Sequence, residues 1–283
     1  MNSFPLVSVI IPTRNSAQFL EACLQSIKNQ TYKNIEIIVV DNNSTDNTKE
    51  IVRSVIARSE ATWQSRIFIF NKGPERSTQR NYGAKNANGK YFLFIDSDME
   101  LTPKVIEECV KIIQSKNDIS ALIIPEKSVG IGFWAQCKTL ERSFYVGVSW
   151  MEAVRFVRKD TYIQAGGYDE NIVSGEDWDL SQRIEKLGNI GRIEDIIFHN
   201  EGKISLWKTV RKKYYYSQEF LKYLKKNQKE EKAKKQIGIL IRYRLFFSHP
   251  LKLFKNPLLG FGMLFMKTCE FGFGGIGYLI TKK

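Results

Sequence analysis

Tyr91-Phe92-Leu93-Phe94-Ile95-Asp96-Ser97-Asp98 is the stretch whose reading decides the fold. Five consecutive apolar residues without polar alternation read as a strand buried on both faces. The strand runs straight into two carboxylates spaced i and i+2. In extended chain these point the same way and can converge on one spot. Two acids at the end of a buried strand repel one another without a cation. A hard divalent ion such as Mg²⁺ or Mn²⁺ takes oxygen ligands and commonly bridges to phosphate oxygens. Away from such a strand end, an Asp-x-Asp reads as an ordinary solvated turn.

Outward from this strand, apolar runs alternate with helical patterns. Leu6–Ile11 (closed by Pro12), Ile35–Val40, Ile67–Phe70 and Ile119–Ile124 read as further strands. Phe19, Leu20, Cys23, Leu24 and Ile27 recur at helical spacing. Ser44 and Thr45 are candidate caps for a helix reaching about Ala57, residues 76–87 read as helical, and Thr102-Pro103 opens another helix. Strands without polar alternation, separated by helices, imply an α/β fold with a mostly parallel sheet between helical layers. Farther on, Ala153–Val157 and Ile190–Phe198 read as strands around a helix at 175–188.

In such a sheet, ligands bind at the carboxyl ends of the strands. Three of these ends are polar here: Pro12-Thr13-Arg14-Asn15, Asp41-Asn42-Asn43-Ser44 and Asp96-Ser97-Asp98. No GxGxxG follows an early strand and no GxxxxGK[ST] occurs, which disfavours a dinucleotide-binding dehydrogenase or a P-loop nucleotidase. Asp41 can accept a hydrogen bond from a nucleobase, or close an Asx-turn into the next helix. In Ser174-Gly175-Glu176-Asp177-Trp178-Asp179-Leu180, Ser174 and Asp177 have the spacing of a helix cap. On a helical wheel, however, Asp177 falls on the inward stripe with Leu180 and Ile184, where a general base would reach a cleft. Trp178 falls roughly on the opposite side. His199 ends the Ile190–Phe198 strand.

The order of these segments resembles the inverting nucleotide-sugar glycosyltransferases of family 2, which have the GT-A (nucleotide-diphospho-sugar transferase) fold. The resemblance covers about residues 6–200. It rests on Val7–Asn15, the Asp41 segment, Arg80-Asn81-Tyr82-Gly83-Ala84, Asp96-Ser97-Asp98, Gly166-Gly167-Tyr168-Asp169-Glu170 and Gly175–Leu180, in that order. It implies that Pro12, Thr13, Asn15 and Asp41 bind the nucleotide, that Arg80 helps to place it, and that Asp96 approaches the ribose or the metal. Asp98 would ligate an Mn²⁺ or Mg²⁺ bound to the diphosphate, with His199 as a further ligand. Asp177 would deprotonate the acceptor hydroxyl, with Glu176 and Trp178 on the substrate side. Nucleotidyltransferases that make nucleotide-sugars have a similar fold, but they carry a glycine-rich basic signature after the first strand that Pro12–Asn15 lacks. A non-catalytic glycan- or membrane-binding protein of this fold is disfavoured by the persistence of all three acid clusters.

The chain has 43 Lys and Arg against 30 Asp and Glu, a formal net charge of +13. Residues 1–202 carry 24 basic and 26 acidic side chains, so the excess lies beyond them. Residues 203–255 hold 16 Lys and Arg and 3 Glu. Trp207, Val210, Tyr214, Ser217, Leu221 and Leu224 recur there at helical spacing beside lysines, the pattern of a basic amphipathic helix. These observations divide the chain into a catalytic domain, 1–202, and a basic, amphipathic and apolar region, 203–283. The large aliphatic and aromatic blocks fit an anionic membrane surface better than nucleic acid, and a solvated face over a larger core is the bland alternative. A glycan or lipid-linked acceptor and a peripheral position on the cytoplasmic face of a membrane follow as expectations. Residues 257–280 are too interrupted by Lys267, Glu270 and glycines for a transmembrane helix, although a re-entrant hairpin is conceivable. Cys23, Cys109, Cys137 and Cys269 are scattered, which argues against zinc or a disulfide framework and suits a reducing compartment. The N-terminus reads as the approach to a strand and not as a signal peptide.

Overall fold

The computed structural model describes residues 4–60, 66–116 and 118–281; Met1–Ser3, Lys282 and Lys283 lie outside them. The elements run in the order β1 (Val7–Thr13), α1 (Leu20–Lys28), β2 (Ile35–Asp41), α2 (Thr48–Glu60), β3 (Arg66–Asn71), α3 (Arg76–Lys85), β4 (Tyr91–Phe94), β5 (Met99–Leu101), α4 (Val105–Ser115) and β6 (Ile119–Ile123). There follow β7 (Glu126–Ile131), α5 (Phe133–Ser143), β8 (Val154–Arg158), α6 (Lys159–Gln164), α7 (Glu176–Glu185), β9 (Asn189–Arg192) and β10 (Ile197–Lys203). Five helices close the chain: α8 (Leu206–Lys226), α9 (Glu231–Ile237), α10 (Ile239–Phe247), α11 (Pro250–Leu253) and α12 (Pro257–Thr281).

Contacts divide the chain into two compact units. The first comprises Met1–Glu126, Ala153–Glu170 and Asp177–His199. Its centre is a seven-stranded sheet of order β3-β2-β1-β4-β8-β6-β9. β1 pairs in parallel with β2 and β4, β2 with β3, and β6 with β9, while β8 runs antiparallel to β4 and β6. Side chains alternate between two cores, as the pleat requires. Val9, Ile37 and Leu93 enter one cluster with Leu20, Leu24 and Ile106; Ile10, Ile38 and Phe94 enter the other with Tyr162, Leu180 and Ile184. Helices therefore cover both faces, which is why these strands read as unbroken apolar runs. The registers Thr13↔Asp41 and Ile10↔Phe94 bring three polar strand ends to one edge of the sheet.

Three local expectations are corrected in this unit. α2 begins at Thr48, later than Ser44 and Thr45. Asp46 accepts hydrogen bonds from the Thr48 amide and hydroxyl, while Ser44 is engaged by Asp41. The run Ile190–Phe198 is two strands, β9 and the start of β10, because the chain turns at Glu194-Asp195, whose amides donate to the Glu108 carboxylate at 2.9 Å each. The helix expected at 175–188 begins at Glu176, and its first residues are not closed by a Ser174–Asp177 box: the Asp177 carboxylate goes to Arg80.

The second unit comprises Lys127–Glu152, Asn171–Glu176 and Asn200–Lys283. The division by packing thus differs from one at residue 202, because two inner segments cluster with the C-terminal third. Cys137, Phe144 and Tyr145 pack with Phe246, Leu253, Met263 and Met266. Beside them lies a buried ionic cluster. Lys267 Nζ donates to Glu141 at 2.6 Å and to Glu270 at 2.7 Å, and Lys138 Nζ reaches the same two carboxylates at 2.7 and 3.1 Å. Burial alone would raise the Glu141 pKa, but the two ammonium groups hold it well below the usual carboxylate range. The basic helix expected after 204 is α8, and it ends at Lys226; the Lys-rich 222–235 is divided between its last turn and a separate helix, α9. Residues 257–280 form one continuous helix, α12, so the hairpin is excluded. Among the described residues no helix is long and apolar enough to cross a membrane.

Candidate active site

The site grows from the carboxyl edge of β1, β2 and β4. Pro12 and Thr13, the last residues of β1, are buried, and the Thr13 hydroxyl has no hydrogen-bond partner among the described residues. Asp41 is fully buried at the end of β2; its carboxylate accepts hydrogen bonds from the Ser44 amide (2.9 Å) and the Ser44 hydroxyl, and Lys49 Nζ lies 3.5 Å away. The Asp41 carboxylate thus holds the loop after β2 through Ser44, three residues on. Asn15 is exposed and has a left-handed backbone (φ 50°). Its side-chain oxygen accepts from the Thr45 amide at 2.8 Å, and its own amide donates to Ser44 Oγ at 2.8 Å, so the loops after β1 and β2 are tied together.

α3 organises the rest. Gly83 brings this helix close to the sheet, since a Cβ there would stand 2.6 Å from Ile10 Cγ2. Gln79 is buried and donates to the carbonyls of Thr13 (3.0 Å) and Val40 (2.6 Å). Asn81 accepts from the Tyr168 amide and the Tyr162 hydroxyl and donates to the Tyr168 carbonyl and Glu170, at 2.7–2.9 Å. This explains the Gly166–Glu170 motif. Gly167 has φ +67°, and a Cβ there would stand 2.9 Å from Asn81 Oδ1.

Between Gln79 and Asn81, Arg80 is wholly buried. Its Nη1 donates to Asp177 Oδ1 at 2.9 Å, its Nη2 to Asp96 Oδ1 at 2.7 Å, and its guanidinium carbon lies 5.0 Å from the centre of the Tyr168 ring. Arg80 is thus an organiser of two acids, which differs from an arginine reaching out to the nucleotide: no part of it is exposed. Asp96 faces a second guanidinium, Arg155, at 3.9 Å. Burial would raise the Asp96 pKa, but Arg80 and Arg155 overcome it and hold the carboxyl far below the usual range. The repulsion expected at this strand end is relieved, on the Asp96 side, by arginines.

Asp98 is differently placed. Its Oδ2 lies 3.4 Å from His199 Nε2, and its Oδ1 is buried with no hydrogen-bond partner among the described residues. His199 reaches this point because β10 pairs antiparallel with β5, in the register His199↔Met99. On its other side, His199 Nδ1 stands 3.6 Å from Glu126, which is also bonded to Arg155 Nε at 2.5 Å. An oxygen and an imidazole side by side, with one carboxylate oxygen left over, fit a divalent cation. No group of three or more His, Cys, Asp and Glu side chains is disposed to hold a metal among the described residues. On α7, Asp177 and Trp178 are part-exposed, while Glu176 is buried.

Arg155 and Glu126 were not anticipated, and Tyr168 stood only within the Gly166–Glu170 motif, without a role of its own. Arg155 had a signal, a cation in the middle of an apolar strand, which must find acids if buried. Glu126 had none, since only the fold brings it to His199, and the motif containing Tyr168 did not show that its ring would lie against Arg80.

The comparisons with known proteins agree with this geometry. The family model described as "Glycosyl transferase family 2" matches residues 8–168. An uncharacterised glycosyltransferase of Rickettsia felis is 31% identical over 199 residues, covering 66% of this chain and 31% of that protein. A GalNAc(5)-diNAcBac-PP-undecaprenol beta-1,3-glucosyltransferase of Campylobacter jejuni is 37% identical over 97 residues, covering 34% of this chain and 31% of the relative. The chain thus spans about a third of the length of these curated relatives. Among solved structures, a mannosyltransferase from Pyrobaculum calidifontis, in complex with GDP-Man and Mn²⁺, superposes with a TM-score of 0.64 at 17% identity, covering 100% of this chain and 89% of that one. The mixed, mostly parallel sheet between helices is the GT-A architecture, and the chain belongs to glycosyltransferase family 2.

Proposed function

We propose that this protein transfers a sugar from a nucleotide-diphospho-sugar to an acceptor hydroxyl with inversion at the anomeric carbon. The observation that carries the reading is Arg80, which gathers Asp96 and Asp177 onto one buried guanidinium. The acid at the end of β4 and the acid on α7 thereby belong to one site. Pro12, Thr13, Asn15 and Asp41 would line the nucleotide side, with the Thr13 hydroxyl available to the donor. Asp177, part-exposed and fixed by Arg80, accepts the proton of the acceptor hydroxyl. The hydroxyl oxygen bonds to C1 as the bond from C1 to the diphosphate oxygen breaks, and the nucleoside diphosphate leaves from the opposite face. Glu176 and Trp178 belong to the acceptor side in this reading.

Asp98 and His199 would hold a Mn²⁺ or Mg²⁺ ion, for which the partnerless Asp98 oxygen is the supporting observation. Such an ion, when bound, supplies positive charge to the departing diphosphate. A lipid-linked or cell-surface glycan acceptor is supported by the name of the Campylobacter relative. The basic excess of 203–255 would hold the enzyme on the anionic cytoplasmic face of a membrane.

The test is thermal stabilisation by nucleoside diphosphates with and without Mn²⁺. One nucleoside diphosphate raises the melting temperature by several degrees with Mn²⁺, and Asp98→Ala removes most of that gain. Equal stabilisation of wild type and Asp98→Ala would remove Asp98 as a ligand. No stabilisation by any of them would remove the donor site.

A further inference from the structure

α12 is built with its polarity reversed. Its only charged side chains among the described residues, Lys267 and Glu270, are buried in the ionic cluster with Lys138 and Glu141. The face turned outward is uncharged: Leu258 is 70% exposed, Phe261 64%, Phe265 57%, Ile276 51% and Leu279 63%. Leu258, Phe261 and Phe265 are spaced by three and four residues, and Ile276 and Leu279 return to the same face five turns after Leu258 and Phe261, with uncharged, exposed Thr268 and Gly272 between. Gly260, Met263, Met266, Glu270 and Gly277 form the inner stripe. A water-facing helix normally has the opposite arrangement, and apolar stripes of this length mark a surface with an apolar partner.

The neighbouring helices extend the stripe. A Cβ at Gly260 would stand 2.4 Å from the Leu253 carbonyl, Phe254 packs on Phe261 at 5.5 Å, and Tyr243 bonds to Thr268 at 2.6 Å. α10 and α11 are thus held against the first half of α12, and they present Leu240 (83% exposed), Phe247 (51%) and Leu251 (90%). The same helices and the turn after them carry exposed Arg244, Lys252 and Lys255, without a single acid between Lys232 and Lys267. An uncharged stripe bordered by cations is the pattern of a helix lying in the interface of an anionic bilayer. A second copy of this chain is a poor partner, because pairing these surfaces would bring like charges together.

We infer that the outer face of α12, with the exposed apolar residues of α10 and α11, inserts into the hydrocarbon boundary of an anionic phospholipid membrane, with the helix lying in the membrane plane. The geometry favours a helix in the plane over a span, because the inner stripe stays covered by protein along the helix. Lys267 and Glu270 anchor its middle, and Gly277 lies against Tyr214 and Ser217 of α8 near its end. This rests on the membrane reading above and deepens it. Surface attachment by charge alone is released by salt, whereas insertion of apolar side chains is not.

The experiment is flotation of the full chain with vesicles of phosphatidylcholine containing 30% phosphatidylglycerol, at about 0.1 M and about 0.5 M NaCl. Insertion predicts that the wild type floats at both salt concentrations. Phe261→Ser/Phe265→Ser loses at least about tenfold in partitioning at high salt, with an unchanged circular dichroism spectrum. A milder pair, Phe261→Ala/Phe265→Ala, gives an intermediate loss and serves if the first variant is unstable. If the wild type floats only at low salt and the variants match it, insertion is overturned while charge-driven attachment survives. If nothing floats at either concentration, both fall. Salt-independent self-association without lipid that the same variants abolish would also overturn insertion and assign the face to a second copy.

Discussion

At the scale of single residues, the site is a contest for guanidinium groups. Asp96 has both carboxylate oxygens directed at arginines, Arg80 at 2.7 Å and Arg155 at 3.9 Å. Its depressed pKa means that the ionised carboxylate stabilises the fold. That contribution is complete above the unfolded value of about 3.9 and declines as pH falls below it toward the much lower folded value. Asp96→Asn is therefore expected to cost about 3 kcal/mol at pH 7, seen in denaturant melts, and the gap from wild type narrows below about pH 4. A gap that stays constant into acid would contradict the ion-pair account. The carboxylates themselves were legible in the sequence, because an Asp-x-Asp after an apolar strand carries its own position. The division of labour between Asp96 and Asp98 was not, since it depends on Arg155, which comes from a strand some sixty positions away.

At the scale of elements, Asp177, read as inward on the helical wheel, is part-exposed and bonded to Arg80. The apolar runs located β1, β2, β3, β4 and β6 of the parallel part of the sheet but merged β9 with β10. Boundaries failed where a side chain competed for the backbone. Asp46 starts α2 later than Ser44 and Thr45 would, and the Glu108 carboxylate shapes the turn that separates β9 from β10. The hairpin reading of 257–280 rested on two apolar segments flanking the charged pair Lys267 and Glu270, whereas the segment is one helix, α12. The ions satisfy one another: Lys138 and Lys267 both reach Glu141 and Glu270, and the Tyr145 hydroxyl donates to Glu141 as well. Lys267→Met should thus destabilise by about 3–5 kcal/mol, since it leaves buried carboxylates undercompensated. Lys267→Met/Glu270→Leu should recover a good part of that loss in equilibrium unfolding. If the double variant is no more stable than the single one, the cluster is not a mutually compensating set.

At the scale of the whole molecule, the charge boundary and the packing boundary do not coincide. The acidic and basic side chains nearly balance over residues 1–202, yet 127–152 and 171–176 belong to the same compact unit as the basic third. Charge reports what surface a segment presents, whereas packing depends on which apolar side chains it must bury, and Cys137, Phe144 and Tyr145 find their partners beyond residue 245. Removing 203–283 is therefore expected to strip the cover from 133–145, so that limited proteolysis cuts this segment at least tenfold faster than in the full chain. Equal rates would mean that α5 is held without its C-terminal partners.

The central claim is that the site performs sugar transfer with Asp177 as its base. Its most direct test is the product released from a panel of nucleotide-sugars in the presence of Mn²⁺, by wild type and by Asp177→Asn. The account predicts free nucleoside diphosphate from the wild type. It predicts a rate at least about a hundredfold lower in Asp177→Asn, with donor-induced thermal stabilisation retained. Release of pyrophosphate, or unchanged turnover in Asp177→Asn, would contradict it.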